Sequence, residues 1–276
     1  MDRLGWAVGL SAACYGVRIG LRATSAAGLA ELQGGLPRAL KPSRALVVDI
    51  LYSLVVGGPG ARPGERRFHV LYRDAARLAR SLDMAEIRRA FERDLSIAIG
   101  DAARRRVFVH AGVVGVNGGA ILIPGKSCSG KTTLVQALVA QGGVYYSDDY
   151  AVLDGRGRVF PWAEPLSLRE RGPTRASERH TPESLGMASG RKGLPVRLVV
   201  LTSFQKGRAF SPREETKAAG TLGLLQHTLP ARRRPRAALK ALAAAVSGAR
   251  VISGPRGEAR AAARSILAKL NSPQGA

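Results

Sequence analysis

Apolar residues fall into runs of two different periods along the chain, and the period assigns the elements. Met84, Ile87, Phe91, Leu95 and Ala98 recur at helical steps behind Asp83 and Glu86, predicting a helix with one buried face and a capping-box-like start that stops at Gly100. From residue 107 the pattern changes. VFVHAGVVGV is a continuous β-branched run, Asn117, Gly118 and Gly119 supply a turn, and AILI follows at 120–123, which together predict a hairpin. PGKSCSGKTTLVQALVAQGG comes next, a glycine-rich loop opening a helix whose face is Leu134, Val135, Leu138 and Val139, closed by Gly142 and Gly143. Residues 144–146 form a short strand that delivers Ser147, Asp148 and Asp149, and AVLDGRGRVF predicts a hairpin turning at 154–157. LPVRLVVLTSF at 194–204 reads as a core strand, 236–246 as a helix, Val251 and Ile252 as a short strand, and 258–270 as a last helix. Strands and helices are interleaved, so the fold class is α/β.

The first hundred residues carry weaker patterns. ALVVDILYSLVV at 45–56 is a strand candidate between Gly-, Pro- and Arg-rich stretches at 34–44 and 57–66, and a strand is expected at 68–72. LGWAVGLSAACYGV contains 14 uncharged residues between Arg3 and Arg18, short of the roughly 20 needed for a membrane span. A packed helix is expected there in preference to a signal peptide. The polar stretch 169–193 reads as a long mobile loop. Two regions follow from this organisation, a helical and small α/β region at 1–105 and a larger unit at 106–276.

Composition adds boundaries rather than identity. Hydrophobic residues make up 45% of 276, which excludes disorder along the whole chain. Lys and Arg number 43 against 20 Asp and Glu, a formal charge of +23, but Arg, Ala and Gly dominate throughout, as a GC-rich coding bias would produce. The excess still predicts attraction for nucleotide phosphates and acidic peptides. The basic clusters at 104–106 and 232–236 have no interleaved aromatic residues, so no nucleic-acid partner is expected. Cys14 and Cys128 are too few for a disulfide framework, and His69, His180 and His227 lack the spacing of a zinc site.

The specific signal is Gly125-Lys126-Ser127-Cys128-Ser129-Gly130-Lys131-Thr132, which satisfies G-x-x-x-x-G-K-[ST] at every fixed position, with Thr133 next in line. Glycines let backbone N–H groups curl around phosphates, the lysine neutralises β/γ charge, and the threonine hydroxyl holds magnesium. A nucleotide is therefore expected on residues 125–133. Cys128 occupies a variable position and reads as a small residue rather than a redox thiol. Asp148 and Asp149 lie just beyond the helix that follows, and His110 precedes the motif. Adjacent carboxylates at a strand end point to opposite faces, so one of them can readily act as a base. Asp149 is the leading candidate and Asp148 the alternative, beside the plain reading of a turn or cap pair. His110 divides between a site residue and a satisfied core histidine.

Residues 109–153, with His110, the glycine-rich loop and Asp148-Asp149 in that order and spacing, resemble the core of the HPr kinase/phosphorylase family. The likeness is strongest to its short members found with biosynthetic clusters for ribosomal peptides such as lasso peptides. That resemblance implies a kinase domain related to phosphoenolpyruvate carboxykinase, a P-loop fold with a mixed β-sheet. It implies ATP and Mg2+ as cofactors and a seryl hydroxyl of a peptide or small protein as acceptor. Lys131 would bind the transferring phosphate, Thr132 and Asp148 would serve the metal, Asp149 would be the base, and His110 would line the site. The family's metal-binding glutamate has no clean equivalent: Arg169 falls at its place and Glu170 lies one residue away. A family arginine corresponds to Arg208 or Arg213. The two cysteines point to a reducing, cytoplasmic compartment and the short apolar run to no stable membrane span; the parent family forms hexamers, which leaves homo-oligomerisation open here. Two other readings stay open, an enzyme acting on the carrier protein HPr and able to reverse the reaction, and a non-catalytic ATP-responsive module.

Overall fold

The computed structural model describes residues 4–58, 67–127, 129–169 and 177–272. The chain divides into two compact units, residues 1–105 and 106–276.

In the first unit, β1 (Val8–Cys14), β2 (Val17–Ala23), α1 (Ala26–Gly34), β3 (Lys41–Ser43), β4 (Ile50–Val55), β5 (His69–Arg73), β6 (Ala76–Ser81) and α2 (Met84–Ala102) build a six-stranded sheet of order β3-β1-β2-β4-β5-β6. The expected amino-terminal helix is instead the β1–β2 hairpin. Val17, Ile19, Leu21 and Ala23 are buried while Arg18 and Arg22 point the other way, so the arginines mark a period of two rather than the end of an apolar helix. Tyr15 and Gly16 turn the hairpin at φ 50° and 84°, the left-handed pair that a two-residue connection requires. The strand expected over 45–56 shortens to β4, and Leu46 and Val47 lie exposed ahead of it. α2 behaves as its spacing predicts: Ile87, Phe91, Leu95 and Ile99 are buried, and the Phe91 ring meets Tyr52 edge-on with centroids 5.0 Å apart. Asp83 caps it by accepting from the Ala85 amide, whereas Glu86 takes the Ser81 hydroxyl and leaves the reciprocal half of a capping box unmade. Cys14 is buried, which pushes its thiol up to about 12 and makes it a poor nucleophile.

The second unit contains β7 (Val107–Val116), β8 (Gly119–Pro124), α3 (Lys131–Val139), β9 (Val144–Ser147), β10 (Tyr150–Leu153), β11 (Arg158–Phe160), β12 (Leu166–Arg169), β13 (Ser177–His180), β14 (Leu194–Phe204), β15 (Arg213–Glu214), α4 (Lys217–Leu225), α5 (Pro235–Ser247), β16 (Arg250–Arg256) and α6 (Ala259–Asn271). Its main sheet is mixed, ordered β11-β10-β7-β8-β14-β16-β15, with β9 on the outer half of β7. β8, β14 and β16 run parallel; β7 is antiparallel to β8, β9 and β10. β11 also pairs with β14, so β11-β10-β7-β8-β14 closes on itself.

Helices cover both faces, which is why the central strands read as unbroken apolar runs. Ala120, Leu122, Val199 and Val251 pack toward Leu224 of α4 and Ala238, Leu242 and Val246 of α5. Their alternates Ile121, Ile123, Leu198, Val200 and Ile252 pack toward Leu134 and Leu138 of α3 and Ala263 and Ile266 of α6. Leu242 is fully buried, so Leu242→Ala is expected to cost about 2–5 kcal/mol, read as a lower urea midpoint at unchanged slope.

Part of the stretch expected as a loop over 169–193 is instead the β12–β13 hairpin. α4, within a segment without helical signal, was also unexpected; Gly220 and Gly223 lie where a Cβ would run into Val251 and Leu201, so this helix packs through its glycines beside the single fully buried Leu224. Among the described residues no helix is long and apolar enough to cross a membrane.

Candidate functional site

The 125–132 motif follows the end of β8, and its last two residues, Lys131 and Thr132, open α3. The Gly125 amide donates to the His110 carbonyl (3.2 Å), which ties the loop's first residue to β7. Gly130 is the N-cap of α3 at φ 81°, a left-handed conformation that favours glycine, and it has no side chain with which to cap the helix. The Lys131 side chain turns back across the loop, its Nζ donating to the carbonyls of Gly125 and Lys126 at 2.8 Å each. Lysine is rarely this enclosed, at 6% exposure. Lys126 and Ser127 are exposed, as is Thr133, while Ser129 and Thr132 are half-buried. Cys128 lies outside the described residues.

β9 and β10 bring the acids to the same place. The Thr132 hydroxyl donates to Asp148 Oδ2 and the Tyr145 hydroxyl to Asp148 Oδ1, both at 2.8 Å. Asp148 is buried. The pair occupies the two-residue turn between β9 and β10 instead of the strand end expected from the sequence, and Asp149 is its open member, with its side chain 57% exposed and Oδ1 3.8 Å from His110 Nε2. Buried Ser147 fixes the turn between them by accepting from the amides of Asp149 (3.2 Å) and Tyr150 (2.9 Å). His110 is neither free nor deep in the core: its ring lies 5.5 Å from that of Tyr150, and its amide donates to the His227 carbonyl at 2.7 Å. The Asp-Asp pair therefore splits into one enclosed carboxylate on the loop and one open carboxylate beside an imidazole.

Burial, and then the charge of Asp149, push the Asp148 carboxyl up to about 6 against the pull of its two hydroxyl donors. Burial also lowers His227, helped by His110, Lys131 and Lys126. A folded-state value raised above 3.8 means that the native protein holds more protons than the unfolded chain between about pH 4 and 6. Asp148 therefore makes stability fall as pH rises through that window. Asp148→Asn is expected to flatten the slope and to raise the urea midpoint at pH 7.5 relative to the parent, measured against pH 4.5.

Beside the loop lies a cleft of about 560 Å³, walled by Gly125, Lys126 and Ser129 on one side and by Leu201 to Phe204 of β14 on the other, with His227 among its lining. Neither arginine expected from the sequence reaches the loop. Arg213 is tied to Glu215 (2.8 Å) and Ser253 (3.3 Å), and Arg208 is exposed. The arginine that does touch the loop is Arg256, whose Nη2 donates to the carbonyls of Gly130 (2.8 Å) and Ser129 (3.4 Å). Sequence reading missed it because β16 was expected to end at 252, four residues earlier. Tyr145 and His227 were likewise without signal, since pairing them with Asp148 and His110 takes the sheet. Glu170 falls outside the described residues.

The donor set suits magnesium. Among the described residues no cluster of three or more His, Cys, Asp or Glu could hold a metal by itself; Thr132 and Asp148 offer one hydroxyl and one carboxylate, and Mg2+ typically takes one or two protein oxygens with phosphate and water completing its shell.

No family model matches the chain, and no curated protein matches it. Among solved structures it is similar to the HPr(Ser) kinase/phosphatase from Coxiella burnetii, at 16% identity over 59% of this chain and 94% of that one, with a TM-score of 0.34.

Proposed function

We propose that this protein is an ATP-dependent serine kinase of P-loop type, related in its 106–276 unit to the HPr kinase and phosphoenolpyruvate carboxykinase fold. The observation that carries the reading is the Thr132–Asp148 hydrogen bond at 2.8 Å, which joins a nucleotide-loop hydroxyl to one of two adjacent carboxylates. Phosphoryl transfer needs positioning and charge neutralisation more than covalent chemistry, and these residues are of the types that provide both. Bound ATP and Mg2+ supply the phosphoryl group and the metal charge. The amides of residues 125–127 and 129–133 and the Lys131 ammonium would hold the phosphates. Thr132 and Asp148 serve the metal. Asp149 takes the proton of the acceptor hydroxyl as its oxygen bonds to phosphorus and ADP departs, with His110 orienting that carboxylate.

The acceptor is a seryl side chain on a peptide or small protein, with a ribosomal-peptide precursor preferred. The cleft beside the loop supports this: among the described residues its lining includes Lys126 and the half-exposed Phe204 and no carboxylate, so it suits an acidic segment or a terminal carboxylate. The test is incubation of the full chain with labelled ATP, magnesium and either seryl peptides or HPr. Label on peptide supports the proposal, and label on HPr moves the acceptor to the carrier protein. Tight ATP binding without transfer to either would make the protein a nucleotide-responsive binding module.

A further inference from the structure

Arg256 closes β16 with 2% of its surface exposed; its hydrogen bonds among the described residues all go to backbone carbonyls, and its Cζ lies 5.7 Å from the centroid of the Phe204 ring. Nη2 donates to the carbonyls of Gly130 and Ser129, and Nη1 to that of Gly257 (3.1 Å); Nε is buried with no hydrogen-bond partner. No carboxylate among the described residues pairs with this guanidinium. Glu258 attracts it less than burial penalises it. A buried cation without a counter-charge is costly, and here it stands directly behind a loop built for anions.

Peptide geometry shows what the contact does. A trans peptide is planar, with its C=O and N–H pointing in opposite directions. Pinning the Ser129 and Gly130 carbonyls on Arg256 therefore turns the amides of Gly130 and Lys131 away from it, toward the other face of the loop. Space agrees with this arrangement: a Cβ on Gly130 would lie 2.6 Å from Arg256 Nη2 and would push the guanidinium off the carbonyls.

We infer that Arg256 is a positioning residue of the nucleotide site, fixing the amides at the loop's end on the phosphate side while its buried charge supplies a second cation to the polyphosphate from behind. This rests on the nucleotide reading above, and the experiment separates the two. Titrate the full chain with ADP and with inorganic pyrophosphate, and record its melting temperature without ligand, for the parent, Arg256→Met, Arg256→Lys and Arg256→Gln. Arg256→Met is expected to melt within a few degrees of the parent or above it, because an apolar side chain of similar length replaces an unpaired charge. Its affinity for both ligands is expected to fall about tenfold or more, the size of one lost charge-assisted interaction. Arg256→Lys, which keeps the charge, should stay within about fivefold of the parent, and the uncharged Arg256→Gln should resemble Arg256→Met.

Equal affinities in the parent and Arg256→Met would overturn the inference alone, as would a Lys variant no tighter than Gln. The comparison of Lys with Gln decides the matter should Arg256→Met fail to fold. A parent that binds neither ligand overturns the nucleotide reading and this inference with it.

Discussion

Asp149→Asn is expected to lower phosphoryl transfer by about 10²- to 10⁴-fold, the range that a positioned general base contributes. Asparagine keeps the shape of the side chain and cannot take up a proton. Because the Asp149 carboxylate is exposed and its near neighbour is His110 rather than the loop, ATP affinity should change by no more than about threefold. A fall in kcat at constant KM for ATP is the signature to look for. Asp148→Asn should differ in kind, since that carboxylate is held by Thr132 and Tyr145 and its loss would appear first in the metal and nucleotide requirement. Full transfer by Asp149→Asn would remove it as the base and leave Asp148 as the remaining candidate.

Lys131→Ala is expected to reduce kcat/KM by about 10³-fold and to weaken ATP binding by at least about tenfold. Two effects combine. The ammonium charge is lost from a site where burial strengthens it, and the Gly125 and Lys126 carbonyls lose the donor that gathers both across the loop. Arginine should not rescue the variant: a planar fork cannot replace a compact ammonium in a slot enclosed to 6% exposure. Equal melting temperatures of parent and variant without nucleotide would assign the loss to binding and chemistry, whereas a drop of ten degrees or more would assign it to folding.

How much of this could be read without coordinates depends on the range over which each signal acts. β7, β8, α2, α3 and β14 carry local patterns, either a sustained period or a turn residue at each end, and they form where the patterns put them. The β1–β2 hairpin was misread because alanine, glycine and serine fit either period, and only the Arg18 and Arg22 alternation distinguishes them. α4 has no sequence signal, since beside Leu224 its packing is made by glycines against Val251 and Leu201, and the identity of those neighbours comes from strand order.

The site divides along the same line. Residues 125–132 announce themselves because a phosphate-binding turn needs its glycines, lysine and threonine contiguous in one loop. The acid pair was expected to split by alternation at a strand end; it lies instead in the turn between β9 and β10, and which acid is enclosed had no sequence signal. That is decided by Tyr145 and Thr132 closing over Asp148, on elements 3 and 16 residues away along the chain. Arg256 is the extreme case, 126 residues from the carbonyl it holds. Local order was written in periodicity and contiguous chemistry; the burial of charges and the partners that surround them were set by how β9, α3 and β16 are brought to the loop after β8, because desolvation and long-range hydrogen bonds come into being only once the sheet has formed.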